Sequence, residues 1–299
     1  MKKMLFVMNP YAGTRKAAKV LTEIISVFNQ AGYLVNAYMT AGPGDAARVV
    51  ERSAEGMDLV VCCGGDGTFN ETVTGLLDGG HDVPVGYIPA GSTNDFAASL
   101  KLSADPVQAA KDIVTGAEAR YDVGLFGDRY FTYVASFGAF TRASYATSQS
   151  IKNALGHTAY VLGGISELTQ IRNIHVRMEL DDEVVEDDFL FGAICNSTSV
   201  GGILTLDPSQ VDMSDGLFEL LLVRAPRSLG EITECIRAVT SQHYDDCAMI
   251  TFRSTSHVKI VTESDLVWTL DGERADTDGP LEVRNLNRVI RLVKKAERA

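Results

Sequence analysis

Four short apolar segments fill much of the first ninety residues. Each runs into a turn rich in Gly, Asn, Asp or Pro, and helical stripes separate them; no other feature constrains the fold as strongly. Met4–Met8 reads as a buried strand, cut by Asn9-Pro10-Tyr11-Ala12-Gly13. A stripe of period near 3.6 follows at Val20, Leu21, Ile24, Ile25 and Phe28, and Gly32 stops it. Leu34–Met39 is a second strand, and Pro43-Gly44-Asp45 opens a helix with Ala46, Val49 and Val50 on one face. Leu59–Cys63 is a continuous apolar run of the parallel-sheet kind and enters Gly64-Gly65-Asp66-Gly67-Thr68. The next helix carries Phe69, Val73, Leu76 and Leu77. Val85–Ile88 leads into Pro89-Ala90-Gly91-Ser92-Thr93-Asn94-Asp95, and Asp105-Pro106 starts one more helix. Strands separated by helices predict a doubly wound, mostly parallel α/β sheet. Ligands on such sheets bind beyond the carboxyl ends of the strands, so the three glycine-bearing turns should converge on one edge.

The pattern changes near residue 120. Tyr121–Phe126, Gly127-Asp128 and Tyr130–Ser136 read as a hairpin. A helix is expected over Thr158–Ile171. Strand-like runs follow at Ile174–Leu180, Phe189–Asn196, Leu217–Val223, Ala248–Phe252, Val258–Thr262 and Leu266–Leu270, with a turn at Asp181-Asp182. Ser228-Leu229-Gly230-Glu231 matches a capping box and signals a helix. The expectation is two domains, α/β over 1–122 and β-rich over 123–283, with the tail 284–299 packing back on the first. A length of 299 residues fits two domains.

Composition bears on partners. The net charge of −12 argues against a nucleic-acid partner, which needs a dense basic footprint. It does not exclude anionic ligands, because a metal ion or aimed backbone amides supply local positive charge. The five cysteines (62, 63, 195, 235, 247) form no C-x-x-C and suggest buried thiols, not a disulfide framework. Asn9-Pro10 cuts the first apolar run short of a signal peptide, and no stretch approaches the ~20 apolar residues of a membrane span. A cytoplasmic, non-spanning chain is expected.

The strongest chemical signal is Gly64-Gly65-Asp66-Gly67-Thr68-Phe69-Asn70-Glu71, which leaves a buried strand and enters a helix. Glycines let backbone N–H groups approach phosphate oxygens, and the helix start adds partial positive charge. A carboxylate there would repel phosphate, so Asp66 implies Mg²⁺. The plainer reading is a tight turn with Thr68 and Glu71 as a capping box. The chain lacks G-x-x-x-x-G-K-[ST], a strict G-x-G-x-x-G after its first strand, G-x-S-x-G and H-E-x-x-H. Its five histidines are scattered. Near the C-terminus a strand runs into Asp271-Gly272-Glu273, either a turn or a general base brought into an interdomain cleft.

Together, Gly64–Glu71, Asn9–Gly13, Gly91–Phe96 and Leu270–Glu273 resemble the diacylglycerol kinase catalytic family, its soluble bacterial lipid kinases above all, with sphingosine, ceramide and NAD kinases as relatives. The resemblance implies a nucleotide domain of NAD-kinase/phosphofructokinase type and a β-sandwich-like second domain, with the site between them. It implies ATP on Asn9, Pro10, Tyr11, Ala12, Gly13, Thr40, Gly64, Gly65, Asp66, Gly67, Thr68, Phe69, Asn70, Glu71, Gly91, Ser92 and Asn94. Glu273 would be the base with Asp271 beside it, and Asp66 and Asp95 would serve the metal and the acceptor. A structural Mg²⁺ would sit on the Asp215 side chain and the backbone oxygens of Asp212 and Leu217. The implied acceptor is a lipid primary hydroxyl, most simply that of diacylglycerol. A homodimer and peripheral contact with the inner membrane face belong to the same implication. Tyr130–Phe140 and Tyr160–Leu168 are core or an acyl-chain pocket. The basic Arg288, Arg291, Lys294, Lys295 and Arg298 are a headgroup surface or a solvated face. An NAD-kinase-like enzyme and a non-catalytic nucleotide-binding regulator remain as alternatives.

Overall fold

The computed structural model describes residues 1–138, 174–200, 204–224, 228–262, 266–277 and 279–296; the helix expected over Thr158–Ile171 and the stretch Tyr160–Leu168 lie outside them. The first domain contains β1 (Lys2–Met8), α1 (Lys16–Lys19), α2 (Leu21–Gln30), β2 (Tyr33–Met39), α3 (Asp45–Ser53), β3 (Leu59–Gly64), α4 (Asp66–Asp78), β4 (Val85–Pro89), α5 (Asp95–Ser99) and α6 (Pro106–Thr115). The strands lie in the order β2-β1-β3-β4, all parallel. Successive side chains of a strand face opposite ways. Met4, Phe6, Met8, Val61 and Cys63 therefore pack on Ile24 and Phe28 of α2 and Ala109 and Ile113 of α6. Leu5, Val7, Val60 and Cys62 face Val50 of α3 and Phe69 and Val73 of α4. Helices cover both faces, as the sequence predicts, and the adjacent Cys62 and Cys63 are free thiols buried on opposite sides.

The single stripe expected from Val20 to Phe28 is broken. Val20, at φ −111°, ends α1 and precedes α2, so only Ile24 and Phe28 are fully buried. Asp105 accepts from the amides of Val107 and Gln108 and caps α6, with Pro106 at its first position.

The remaining strands are β5 (Ala117–Phe126), β6 (Arg129–Phe131), β7 (Val134–Gly138), β8 (Ile174–Glu179), β9 (Val184–Cys195), β10 (Ser199–Val200), β11 (Leu204–Thr205), β12 (Phe218–Arg224), β13 (Ile250–Thr255), β14 (His257–Val261), β15 (Val267–Leu270), β16 (Glu273–Asp276) and β17 (Leu281–Lys294). Helix α7 (Leu229–Ser241) follows β12, capped as expected by the Ser228 hydroxyl on the Glu231 amide. Apart from one parallel contact of β17 with β4, the pairings of these strands are antiparallel. One face packs on a core with Trp268 against Phe126 and Phe137 at ring distances of 5.1 and 4.8 Å, and the other, with Phe191, Ala193 and Leu221, joins the cluster that holds Phe69 and Val73.

Two strands belong to both halves of the molecule. Ile290–Lys294 of β17 pairs with Tyr121–Ala117 of β5, and Leu292 and Val293 also extend the first sheet beside Val85 and Gly86 of β4. The other end, Leu281–Arg284, pairs with β14. The register slips between Leu286 and Ile290, where Arg288 takes φ +53°. The fully buried Asp122 carboxylate holds this bulge, accepting from the Arg288 and Gly216 amides at 2.7 Å each and from the Asn287 side chain at 3.1 Å. The tail therefore does more than the sequence suggests. Arg291 is bound by Glu118 at 2.6 Å and by the Asp82 carbonyl, and Arg288 donates to the Ser214 carbonyl. Both guanidinium groups are bound within the fold, and Arg288 stays exposed. Among the described residues no helix is long and apolar enough to cross a membrane.

Candidate active site

The three glycine-bearing turns meet, as expected. The Asn9 amide donates to Cys63 O, Ala90 N to Gly64 O, and Thr40 N to Met8 O, which ties the ends of β1, β3 and β4 and the segment after β2 together. Contact is backbone to backbone. A Cβ on Gly91 would stand 2.6 Å from Gly65 Cα, and one on Gly13, at φ +49°, would stand 2.9 Å from Gly91 O. The Asn9 side chain accepts from Tyr11 N at 3.0 Å and reaches the Thr68 hydroxyl. Asn94, at φ +54°, folds its side chain back onto Gly91, accepting from its amide and donating to its carbonyl. Ser92 and Thr93 stay exposed at the rim.

Helix α4 begins at Asp66 with Gly65 as its N-cap, so the capping box expected from Thr68 and Glu71 does not form. Glu71 instead turns to the next helix and accepts from Gly44 N at 2.7 Å and Ala46 N at 3.0 Å, capping α3. Asp66 likewise caps its neighbour, accepting from Asp95 N and Phe96 N at the start of α5. The first amides of α4 have no acceptor within the helix. Burial pushes Asp66 up to about 6, and the Asp95 and Asp271 charges add to it. Asp95 accepts a 2.6 Å hydrogen bond from the Ser199 hydroxyl on β10, a partner from the second domain that no sequence motif announced.

The opposite wall is built around Asp271. The hairpin expected over residues 121–136 is real only as far as Phe131. Beyond it, Thr132–Val134 leave the ladder so that their three amides reach the Asp271 carboxylate at 2.6–3.0 Å. The Thr132 hydroxyl and the Asn70 side chain add bonds of 2.8 and 2.9 Å. Burial pushes the Asp271 carboxyl up, and the three amides pull it back. An ionised carboxylate cannot stay buried without such donors, and here it has five. Asn70 also donates to Tyr130 O, so its amide nitrogen joins α4 to the second domain.

Asp271 and Gly272, at φ +48° and +86°, form the two-residue turn between β15 and β16. Glu273 follows at once and is exposed. A Cβ added to Gly67 would lie 3.2 Å from Glu273 Oε1. The second domain's carboxylate thus sits directly over the start of α4, beside Asp66.

Asp212, Asp215 and Leu217 lie elsewhere, on the turn that leads into β12. Asp212 accepts from the Ser214 amide and hydroxyl, Asp215 accepts from Leu217 N, and Leu217 O accepts from Asn285. Among the described residues no group of three or more His, Cys, Asp or Glu side chains is arranged to hold a metal. The acids here stand close together. Burial, with the Asp215 and Asp212 charges behind it, pushes Glu219 up to about 8. Oxygen donors in an excess of negative charge suit a hard divalent cation.

Residues 3–126 match the family described as diacylglycerol kinase catalytic domain, and residues 134–294 match the YegS C-terminal NAD kinase beta sandwich-like domain. The diacylglycerol kinase of Bacillus subtilis (strain 168) is 31% identical over 301 residues, 100% of this chain and 98% of that protein. The diacylglycerol kinase of Staphylococcus epidermidis (strain ATCC 12228) is 30% identical over 91% of this chain and 86% of its own length. A crystal structure titled as a diacylglycerol kinase from Bacillus anthracis str. Sterne has this fold, with a TM-score of 0.75 at 21% identity over 98% of this chain and 97% of that one. A second structure from that organism gives 0.81 at 24% identity over 98% and 95%.

Proposed function

Because the chain belongs to the diacylglycerol kinase catalytic family, we propose that it transfers the γ-phosphate of ATP to the primary hydroxyl of a lipid, with diacylglycerol as acceptor and phosphatidic acid as product. The single observation that carries this reading is the Glu273 carboxylate over Gly67, where a glycine turn opens a helix. A proton acceptor from one domain there faces a phosphate-binding edge from the other.

Phosphoryl transfer asks the protein for positioning and charge control more than for covalent chemistry. The first amides of α4 would hold the phosphates with the Gly91–Asn94 turn, and Asn9–Gly13 and Thr40 would line the nucleotide beside them. Glu273 would take the proton of the acceptor hydroxyl as that oxygen attacks in line. Asp271 sets the turn that aims Glu273, and Ser199 holds Asp95 toward the acceptor. Asp66 would hold Mg²⁺, which when bound supplies charge neutralisation at the β and γ oxygens. Its buried, acid-crowded carboxyl fits that role, since a cation would relieve the crowding. Asp215, with the backbone oxygens of Asp212 and Leu217, would hold a second, structural Mg²⁺. A lipid acceptor is met at a membrane surface, so peripheral contact of the cytoplasmic protein with the inner leaflet is part of the reading.

The test is an ATP-consumption assay with diacylglycerol, a sphingoid base and NAD side by side, with mass spectrometry of the product. Phosphatidic acid should form, and Asp66→Ala should abolish it at saturating Mg-ATP. Consumption with NAD alone, or a near-normal rate in Asp66→Ala, would overturn the proposal.

A further inference from the structure

Tyr133 was not singled out by any motif. It stands in the bend between β6 and β7, its amide bound to Asp271 at 2.9 Å, so one carboxylate fixes both Tyr133 and the turn carrying Glu273. Its side chain is 3% exposed. The hydroxyl lies 3.7 Å from where a Cβ on Gly272 would be, between the anchoring aspartate and the base. Among the described residues it forms no hydrogen bond. The hydroxyl oxygen is not one of the buried atoms left without a partner, so the ring is enclosed while its polar tip is open.

The groups that face this hydroxyl fix its chemistry. Burial and the charges of Asp271, Asp95, Asp66 and Glu273 all hold its proton on. It is a donor and cannot act as a base. The turns that approach phosphate lie on the opposite wall, so what Tyr133 meets is the acceptor, close to the hydroxyl that Glu273 would deprotonate. A glycerol ester carries a carbonyl oxygen near that position. An ether carries no carbonyl there, and the hydroxyl loses that partner.

Resting on the lipid-kinase reading above, we propose that the Tyr133 hydroxyl donates a hydrogen bond to an ester carbonyl of the lipid acceptor and so favours glycerol esters over the matching ethers. It is a substrate-binding residue, with no part in proton transfer.

The experiment compares wild type and Tyr133→Phe in mixed micelles with a diacylglycerol and the matching dialkylglycerol that lacks carbonyls, at saturating ATP. Loss of one neutral hydrogen bond should raise the KM for diacylglycerol about 5–10-fold. Turnover and the KM for ATP should stay within about twofold, since no transition-state contact is removed. The dialkylglycerol should be equally poor with both proteins, so the ester preference disappears in the variant. An ester-to-ether ratio unchanged by the substitution overturns the proposal. So does an equal loss on both lipids, which would mark a structural role. A melting temperature matched to wild type guards the comparison. If wild type phosphorylates no lipid at all, the functional reading fails first, and that result differs visibly from an active wild type whose Tyr133→Phe is unaltered.

Discussion

The two walls of the cleft are made by opposite means. On the first domain's side, turns at neighbouring strand ends lie backbone against backbone, Gly13 on Gly91 and Gly91 on Gly65. Asn9, Asn94 and Asp66 hold these turns, and a Cβ at Gly13 or Gly91 would be one too many. On the other side one buried carboxylate gathers chain from four places: Thr132–Val134, Asn70 and its own turn, with Tyr130 O tied in through Asn70. That wall tolerates no change of charge at Asp271. In the proposed reaction the first would be a surface of amides for an anion, and the second an aimed proton acceptor on its mount.

The sharpest way to test this contrast is to remove the acceptor and keep the mount. Glu273→Gln should lower kcat by about 10²–10⁴-fold. Glu273 is exposed, so thermal unfolding and ATP binding by calorimetry should be unchanged. Breaking the mount should show on both readouts. In Asp271→Asn some of the five donors would face an NH₂ group, which should cost about 2–4 kcal/mol in urea unfolding and lower turnover as Glu273 loses its aim. A smaller effect comes from crowding the first wall. Gly67→Ala should displace Glu273 and reduce kcat about tenfold, while Tm holds or rises because alanine is the better helix former by about 1 kcal/mol.

The smallest effect is a pH slope away from the cleft. Glu219 is raised in the folded state to about 8 from its usual value near 4.5. The folded protein therefore keeps a proton that the unfolded chain gives up. The associated stability is present at low pH and is lost as pH rises through about 8. Glu219→Gln removes that loss, so its Tm advantage over wild type should grow between pH 5 and 8.5. Added Mg²⁺ should shrink the difference if it offsets Asp215. Scanning fluorimetry with and without the ion reads both.

What could be read from the chain alone follows the same divide. The first wall is written in contiguous residues. Leu59–Cys63 running into Gly64-Gly65-Asp66-Gly67 signals strand, turn and helix in order, and the structure has all three. The second wall depends on contacts between distant segments, and local patterns gave wrong detail there. Tyr130–Ser136 looks like one strand because its apolar residues continue, yet Asp271 pulls its middle out of the ladder. Thr68 and Glu71 have capping-box spacing, but the Gly44 and Ala46 amides compete for the glutamate and win. Ser199 and Tyr133 carry no spacing signal, since each matters only through a partner far along the chain.

The shared β5–β17 pair has a practical corollary. Cutting the chain after the first domain would strip Leu292 and Val293 from beside β4 and leave an apolar, unpaired margin on a parallel sheet. Such margins recruit other chains, so an isolated first half should precipitate on expression. Co-producing the remaining segment, or grafting the last strand back through a linker, should rescue it.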